Sequence, residues 1–258
     1  MRRKIFILIF LLMVCGLKIS YAEFNLATGK TESLLINSDQ EEGMGASAAA
    51  TVDKQFKTIE DVDINERVKK ILNKIVKVCD RRDLVYVIKV IDEKDINAVS
   101  LPGGYIYVFK GLIDKVKNDG QLASVIAHEV GHITARHSVK RIQAAYGAML
   151  LQLGSMAAGG RVASGVGLAL DSIFSEYSQQ DEFEADELGF KYLTKAGYDA
   201  KDMLAFFEIL QKENNKKIGL YNYFRTHPYI GMRISNIRAK MKGGMEFREY
   251  LNLTGEKS

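Results

Sequence analysis

Apolar residues recur at three- and four-residue intervals over most of the chain, and runs suited to strands are confined to a short span before the midpoint. Leu122, Ile126, Val130 and Ile133 form one stripe inside Gln121–Arg136, which predicts a helix with a core-facing side, starting at an Asp119 N-cap. Ile64, Val68, Ile71, Leu72, Ile75 and Cys79 form a second stripe, in a helix capped by Asp63 and ending near residues 80–83. The alanine-rich stretch 41–57 predicts a helix before these two. Residues 175–196 and 198–213 predict two more, with Gly197 as the stop between them, and a basic helix runs to about Lys242.

Leu84 to Ile91 is β-branched and predicts a strand. Residues 97–101 and 105–109 predict two more, joined through Pro102-Gly103-Gly104. Proline is tolerated beside edge strands, so 97–101 is expected to be an exposed edge able to pair with an extended peptide. Residues 144–170 are small, apolar and glycine-rich, and predict a helical hairpin or flap over a cleft.

The first 22 residues carry basic residues, an apolar run from Ile5 to Val14 and small residues at Ser20 and Ala22, the pattern of a secretory signal peptide. Residues 23–40 are polar and unpatterned and are expected to be a flexible leader, with a single domain over 41–258. Removing residues 1–22 takes four of the 36 basic residues, leaving 32 against 32 acidic ones. The basic balance then disappears, and nothing argues for a nucleic-acid partner. Cys79 lies on an apolar stripe and is expected to be a buried thiol.

The candidate chemistry lies in His128-Glu129-Val130-Gly131-His132. Four residues apart on a helix, His128 and His132 can present two imidazoles to one zinc ion, with Glu129 beside them as general base. Both project roughly 120° from the apolar stripe, so this helix needs one face in the core and another on a cleft. A catalytic zinc usually has three protein ligands and an open position. Ala135 and Ser138 exclude the metzincin pattern, and His137 on a continuous helix is turned from the metal face. The remaining source is the acidic stretch 180–187. There Glu182 is assigned as third ligand, sharing a face with Ala185 and Gly189, and Asp186 as acceptor for the free ring nitrogen of a ligand histidine. A solvated acidic face is the alternative for that stretch.

His128-Glu-Val-Gly-His132, Glu182-Phe-Glu-Ala-Asp186 and His227-Pro with Arg233 together resemble the HtpX-like gluzincin family that includes the CAAX prenyl endopeptidases, and most of all its soluble, exported, β-barrel-assembly-enhancing branch. Motif order is similar over about residues 60–240. The resemblance implies an α+β zincin-like fold, mainly helical, with a small sheet whose edge strand borders the active-site cleft. It implies one zinc per chain, disfavours Glu184 as ligand, and makes Asn97, Ala98, Val99 and Ser100 the substrate-binding edge. It also implies that His227 and Arg233 sit over the metal, as oxyanion stabilisers or, for His227, as a movable fourth ligand. The expected activity is hydrolysis of unfolded or misassembled exported proteins in the periplasm or cell envelope, with possible peripheral membrane contact. The competing expectations are a zinc-containing assembly factor that holds exposed strands, and a protease kept latent by His227.

Overall fold

The computed structural model describes residues 21–145, 176–213 and 223–242. Most of the expected signal peptide and of the 144–170 flap lies outside the described residues. Strands β1 (Tyr21–Asn25) and β2 (Lys30–Leu34) precede helices α1 (Ser38–Gln55) and α2 (Val62–Val76). Strands β3 (Val87–Ile91), β4 (Ala98–Ser100) and β5 (Tyr105–Phe109) follow, then α3 (Asp119–Thr134), α4 (Gln179–Lys195), α5 (Ala200–Glu213) and α6 (Ile230–Met241). Mainly helical with small sheets, this is the α+β architecture expected.

The central sheet has the order β3-β5-β4, with β5 parallel to β3 and antiparallel to β4. Because side chains alternate along a strand, β5 sends Ile106 and Val108 into one core and Tyr107 and Phe109 into another. The first core packs against α2, α3, α5 and α6. The second is closed by Ala48, Ala49 and Val52 of α1. Cys79 is a buried free thiol in the first core, as its stripe implied.

The expected leader is replaced by ordered structure: β1 and β2 form an antiparallel hairpin, and α1 starts at Ser38. Polar contacts hold the hairpin down. Asn25 Nδ2 donates to the Thr134 carbonyl at 3.1 Å, and Arg136 pairs with Glu23 at 2.6 Å. Lys140 pairs with Glu32 at 2.7 Å, and Lys30 with Glu184 at 2.7 Å. Two caps also shift. Asp61, not Asp63, accepts from Ile64 N at 3.0 Å, and Asn118, not Asp119, accepts from Gln121 N at 2.8 Å. In both cases a second cap-forming residue lies within two positions, and the one left inside the helix still favours its positive end.

The third correction concerns the sheet edge. Strand β4 is the outer strand, yet Asn97 (2% exposed), Ala98 (0%), Val99 (1%) and Ser100 (0%) are buried rather than exposed. A carbonyl before the strand and one at its end are already occupied: Ile96 accepts from Tyr223 N at 3.0 Å, and Ser100 from the Ser138 hydroxyl at 3.3 Å.

Helix α3 is enclosed along its length, with every residue from Gly120 to Thr134 buried, so it has no solvent-facing side. Helix α4 crosses it at very short range. A Cβ on Gly131 would lie 2.6 Å from the Ala185 carbonyl oxygen, and one on Gly189 would lie 3.0 Å from the His128 nitrogen. Gly131→Ala is therefore expected to push the helices apart and destabilise the fold by about 1–3 kcal/mol. Thermal unfolding checks this, and an unchanged Tm would show that the crossing relaxes freely.

Candidate metal centre

The α3/α4 crossing brings His128, Glu129 and His132 from one helix against Glu182 and Asp186 from the other. His227, after the short helical turn Tyr223–Thr226, and Arg233 of α6 complete the group. All seven residues are at most 2% exposed. His128, His132, Glu182 and His227 each offer one donor atom within 4.8 Å of the others.

The Nε2 atoms of His128 and His132 stand 3.0 Å apart and face the Glu182 carboxylate at 3.7 and 3.3 Å. Asp186 Oδ1 lies 2.9 Å from His128 Nδ1, close enough to favour a hydrogen on that nitrogen, and Arg233 Nη2 lies 3.2 Å from it. A hydrogen there leaves Nε2 a bare lone pair facing the cluster. Burial is the largest influence on both histidines, and it holds both well below the usual imidazole range. For His128 the Arg233 guanidinium adds to this, and for His132 the neighbouring His128 does. Neutral nitrogens that close, with a carboxylate oxygen opposite, are a poor arrangement by themselves and a good one around a cation. Two imidazoles and a carboxylate are the donor set that zinc takes.

Glu182 is held ionised. Burial alone would push its carboxyl up, but Arg233, His227 and His128 bring it down to about 2. Arg233 Nη1 lies 2.5 Å from Glu182 Oε2, and its Nη2 and Nε donate to Asp186 at 2.6 and 2.7 Å. All three guanidinium nitrogens thus lie close to carboxylate oxygens, and Nη2 also stands 3.2 Å from His128 Nδ1 and 3.4 Å from its Nε2. Burial pushes Asp186 up to about 6 against the pull of Arg233.

Glu129 is fully buried one residue from His128. Its carboxyl is raised by burial, opposed by His227 and the Ser100 hydroxyl. His227 Nε2 lies 3.4 Å from Glu129 Oε1, while its Nδ1 lies 3.0 Å from Glu182 Oε1. The His227 ring is stacked between Tyr223, at 4.4 Å between centroids, and Tyr177, at 5.3 Å.

Three contacts were not legible in the sequence. Tyr177 stacks on His132 at 3.8 Å between centroids, although nothing in its local sequence marks it as part of a site. Tyr223 packs beside both His128 and His227. His137 is buried against the centre, with Nδ1 only 2.8 Å from His132 Nδ1. Helix α3 ends at Thr134, and Arg136 takes a left-handed conformation (φ 56°) that returns His137 beneath His132. The signal would have been that break, which Thr-Ala-Arg-His does not display.

A family model described as Peptidase family M48 matches residues 63–241, the span that contains this whole cluster. Among curated proteins, the mitochondrial metalloendopeptidase OMA1 of Arabidopsis thaliana is 36% identical over 141 residues, covering 54% of this chain and 28% of the relative. The putative beta-barrel assembly-enhancing protease of Vibrio cholerae is 30% identical over 197 residues, 71% of this chain and 40% of the relative. Metalloprotease LoiP of Escherichia coli is 31% identical over 159 residues, 59% of this chain and 62% of the relative. The chain thus spans less than two thirds of these relatives. With a match over more than half of its length, and two helices that set two imidazoles and a glutamate around one point, the chain belongs to peptidase family M48.

Proposed function

We propose that this protein is a zinc-dependent metalloendopeptidase, with zinc held by His128, His132 and Glu182 and with Glu129 as general base. The observation that carries this reading is the juxtaposition of two neutral, buried imidazole nitrogens 3.0 Å apart, an ionised glutamate opposite them and a second buried glutamate alongside. Zinc bound there supplies Lewis-acid activation of water and of a peptide carbonyl. Glu129 has the work of accepting a proton from the attacking water and returning it to the leaving amine. Its burial, by raising the carboxyl, moves it toward the proton affinity such a role needs. Asp186 fixes the His128 tautomer, and Arg233 holds Glu182 and Asp186 in register. Its two hydrogen bonds to Asp186 support this role over oxyanion binding, which would require Arg233 to leave that carboxylate.

The substrates we infer are extended, unfolded or misassembled exported proteins. A folded protein has no free strand to lay along β4, where Ser100 neighbours Glu129 and Asn97, Ala98 and Val99 continue the strand toward Tyr223. Export to the periplasm or cell envelope is supported by the character of residues 1–22 and by relatives named for β-barrel assembly. Among the described residues no helix is long and apolar enough to cross a membrane, and any membrane contact proposed here is peripheral.

One observation favours a latent resting form. His227 lies in the donor set, and Asn97–Ser100 are buried, so substrate access requires local opening. Casein degradation and a zinc assay test both readings. The expected result is one zinc per chain and proteolysis that is lost with a chelator and restored by zinc. At zinc about 1,000-fold above Kd the fold should gain about 4 kcal/mol, a Tm rise on the order of 10 °C. Zinc-loaded protein that never cuts casein, even as His227→Ala, would favour a strand-holding role instead.

A further inference from the structure

We propose that His137, Glu184 and Lys30 form a hydrogen-bonded relay that sets the tautomer and ring orientation of His132, and are positioning residues for the metal. The inference rests on the zinc reading above and adds a second support to it. The two donor histidines are supported differently. His128 Nδ1 lies 2.9 Å from a carboxylate oxygen, Asp186 Oδ1, and 3.2 Å from Arg233 Nη2. His132 Nδ1 instead faces His137 Nδ1 at 2.8 Å, and His137 Nε2 faces Glu184 Oε2 at 3.2 Å. Glu184 Oε1 in turn pairs with Lys30 Nζ at 2.7 Å.

Proton accounting fixes the direction of the chain. For His132 to present a lone pair at Nε2, its hydrogen must be on Nδ1. The short nitrogen–nitrogen contact accommodates one hydrogen, so His137 Nδ1 must accept, and the hydrogen of a neutral His137 is then on Nε2. That N–H points at an ionised carboxylate, the acceptor it requires. With the His132 hydrogen on Nδ1 and a neutral His137, each contact of the relay has one donor and one acceptor, which favours the His132 tautomer that leaves Nε2 free. An imidazole is suited to the middle place because it accepts at one nitrogen and donates at the other.

The backbone is shaped to this end. The left-handed Arg136 brings His137 under His132, where a continuous helix would have carried it away. His137 is 1% exposed, enclosed well beyond what a surface capping histidine needs. Helix α4 sends Glu182 to the donor cluster and Glu184, two residues on, to the relay. Lys30 on β2 makes the N-terminal hairpin the last member.

Zinc affinity, measured by competition with a chromophoric chelator, and the visible spectrum of the cobalt(II)-substituted protein test the relay apart from catalysis. His137→Phe keeps ring volume and removes the acceptor, and it should weaken zinc binding by ~10–100-fold and shift the cobalt bands. His137→Asn, whose amide oxygen can accept the same N–H, should recover most of the loss. Glu184→Gln, which removes the charge at the partly exposed end, should weaken zinc several-fold, and it decides the matter if His137→Phe does not fold. Parent-like zinc affinity and cobalt spectrum in His137→Phe, or in Glu184→Gln where it decides, would overturn the relay. So would equal losses in His137→Phe and His137→Asn, which mark simple packing. A parent protein that takes up no zinc would overturn the metal site itself.

Discussion

Glu129→Gln is expected to lower peptide hydrolysis by ~10²–10⁴-fold with zinc still bound at one per chain. The amide keeps the shape of the carboxylate and cannot take a proton from water. Stability should move the other way. The fold raises the Glu129 carboxyl, chiefly by burial, so its ionised form is the disfavoured one in the native state. A raised carboxyl favours the fold at low pH and loses that contribution as pH climbs through the native pKa. The metal-free glutamine variant should therefore match or exceed the parent in Tm at neutral pH, and the difference should close in acid. Unchanged proteolysis by the zinc-loaded variant would remove Glu129 from the mechanism. Lost proteolysis with lost zinc would make it a structural member of the site instead.

Arg233→Met is expected to be the most damaging change to stability, at about 3–5 kcal/mol. Arg233 is 0% exposed, and it is the cation paired with both Glu182 and Asp186, while its guanidinium carbon lies 4.7 Å from the centre of the Phe207 ring. Methionine fills much of the volume but leaves two buried carboxylates without a cation. A Tm loss on the order of 10 °C should follow. Because Glu182 is held at about 2 chiefly by Arg233, against burial, the pairing stabilises the fold above the ordinary glutamate range and is lost as pH falls toward 2. The gap between parent and variant should narrow over that interval, and a gap independent of pH would mean that packing against Phe207, rather than charge, is what was lost.

The helices around the site were legible because their apolar residues follow the helical period closely: the stripes through Leu122 and Val68 mark α3 and α2 wherever their ends fall. The acidic helix was legible through its small residues, since Gly189 and Ala185 only make sense where another backbone passes close. The hairpin at 21–34 was not. Its order comes from Asn25, Glu23, Glu32 and Lys30 reaching partners more than a hundred positions away, and hydrophobic periodicity carries no trace of such contacts. His137 was misplaced for a related reason, because spacing arithmetic assumes that the helix continues, and Arg136 ends that assumption. The burial of β4 depends on Tyr223 and Ser138 meeting it from elsewhere in the chain.

The crossing of α3 with α4 has a consequence for how the chain holds together. Cys79 is the one cysteine among the described residues, and it is unpaired, so no disulfide cross-links them. A cation shared by His132 and Glu182 would close a loop of about fifty residues, a length at which a covalent bridge restricts the unfolded chain by about 4 kcal/mol. The metal would then be the staple as well as the reagent, and its uptake would add to the stability of a fold that has no disulfide among its described residues.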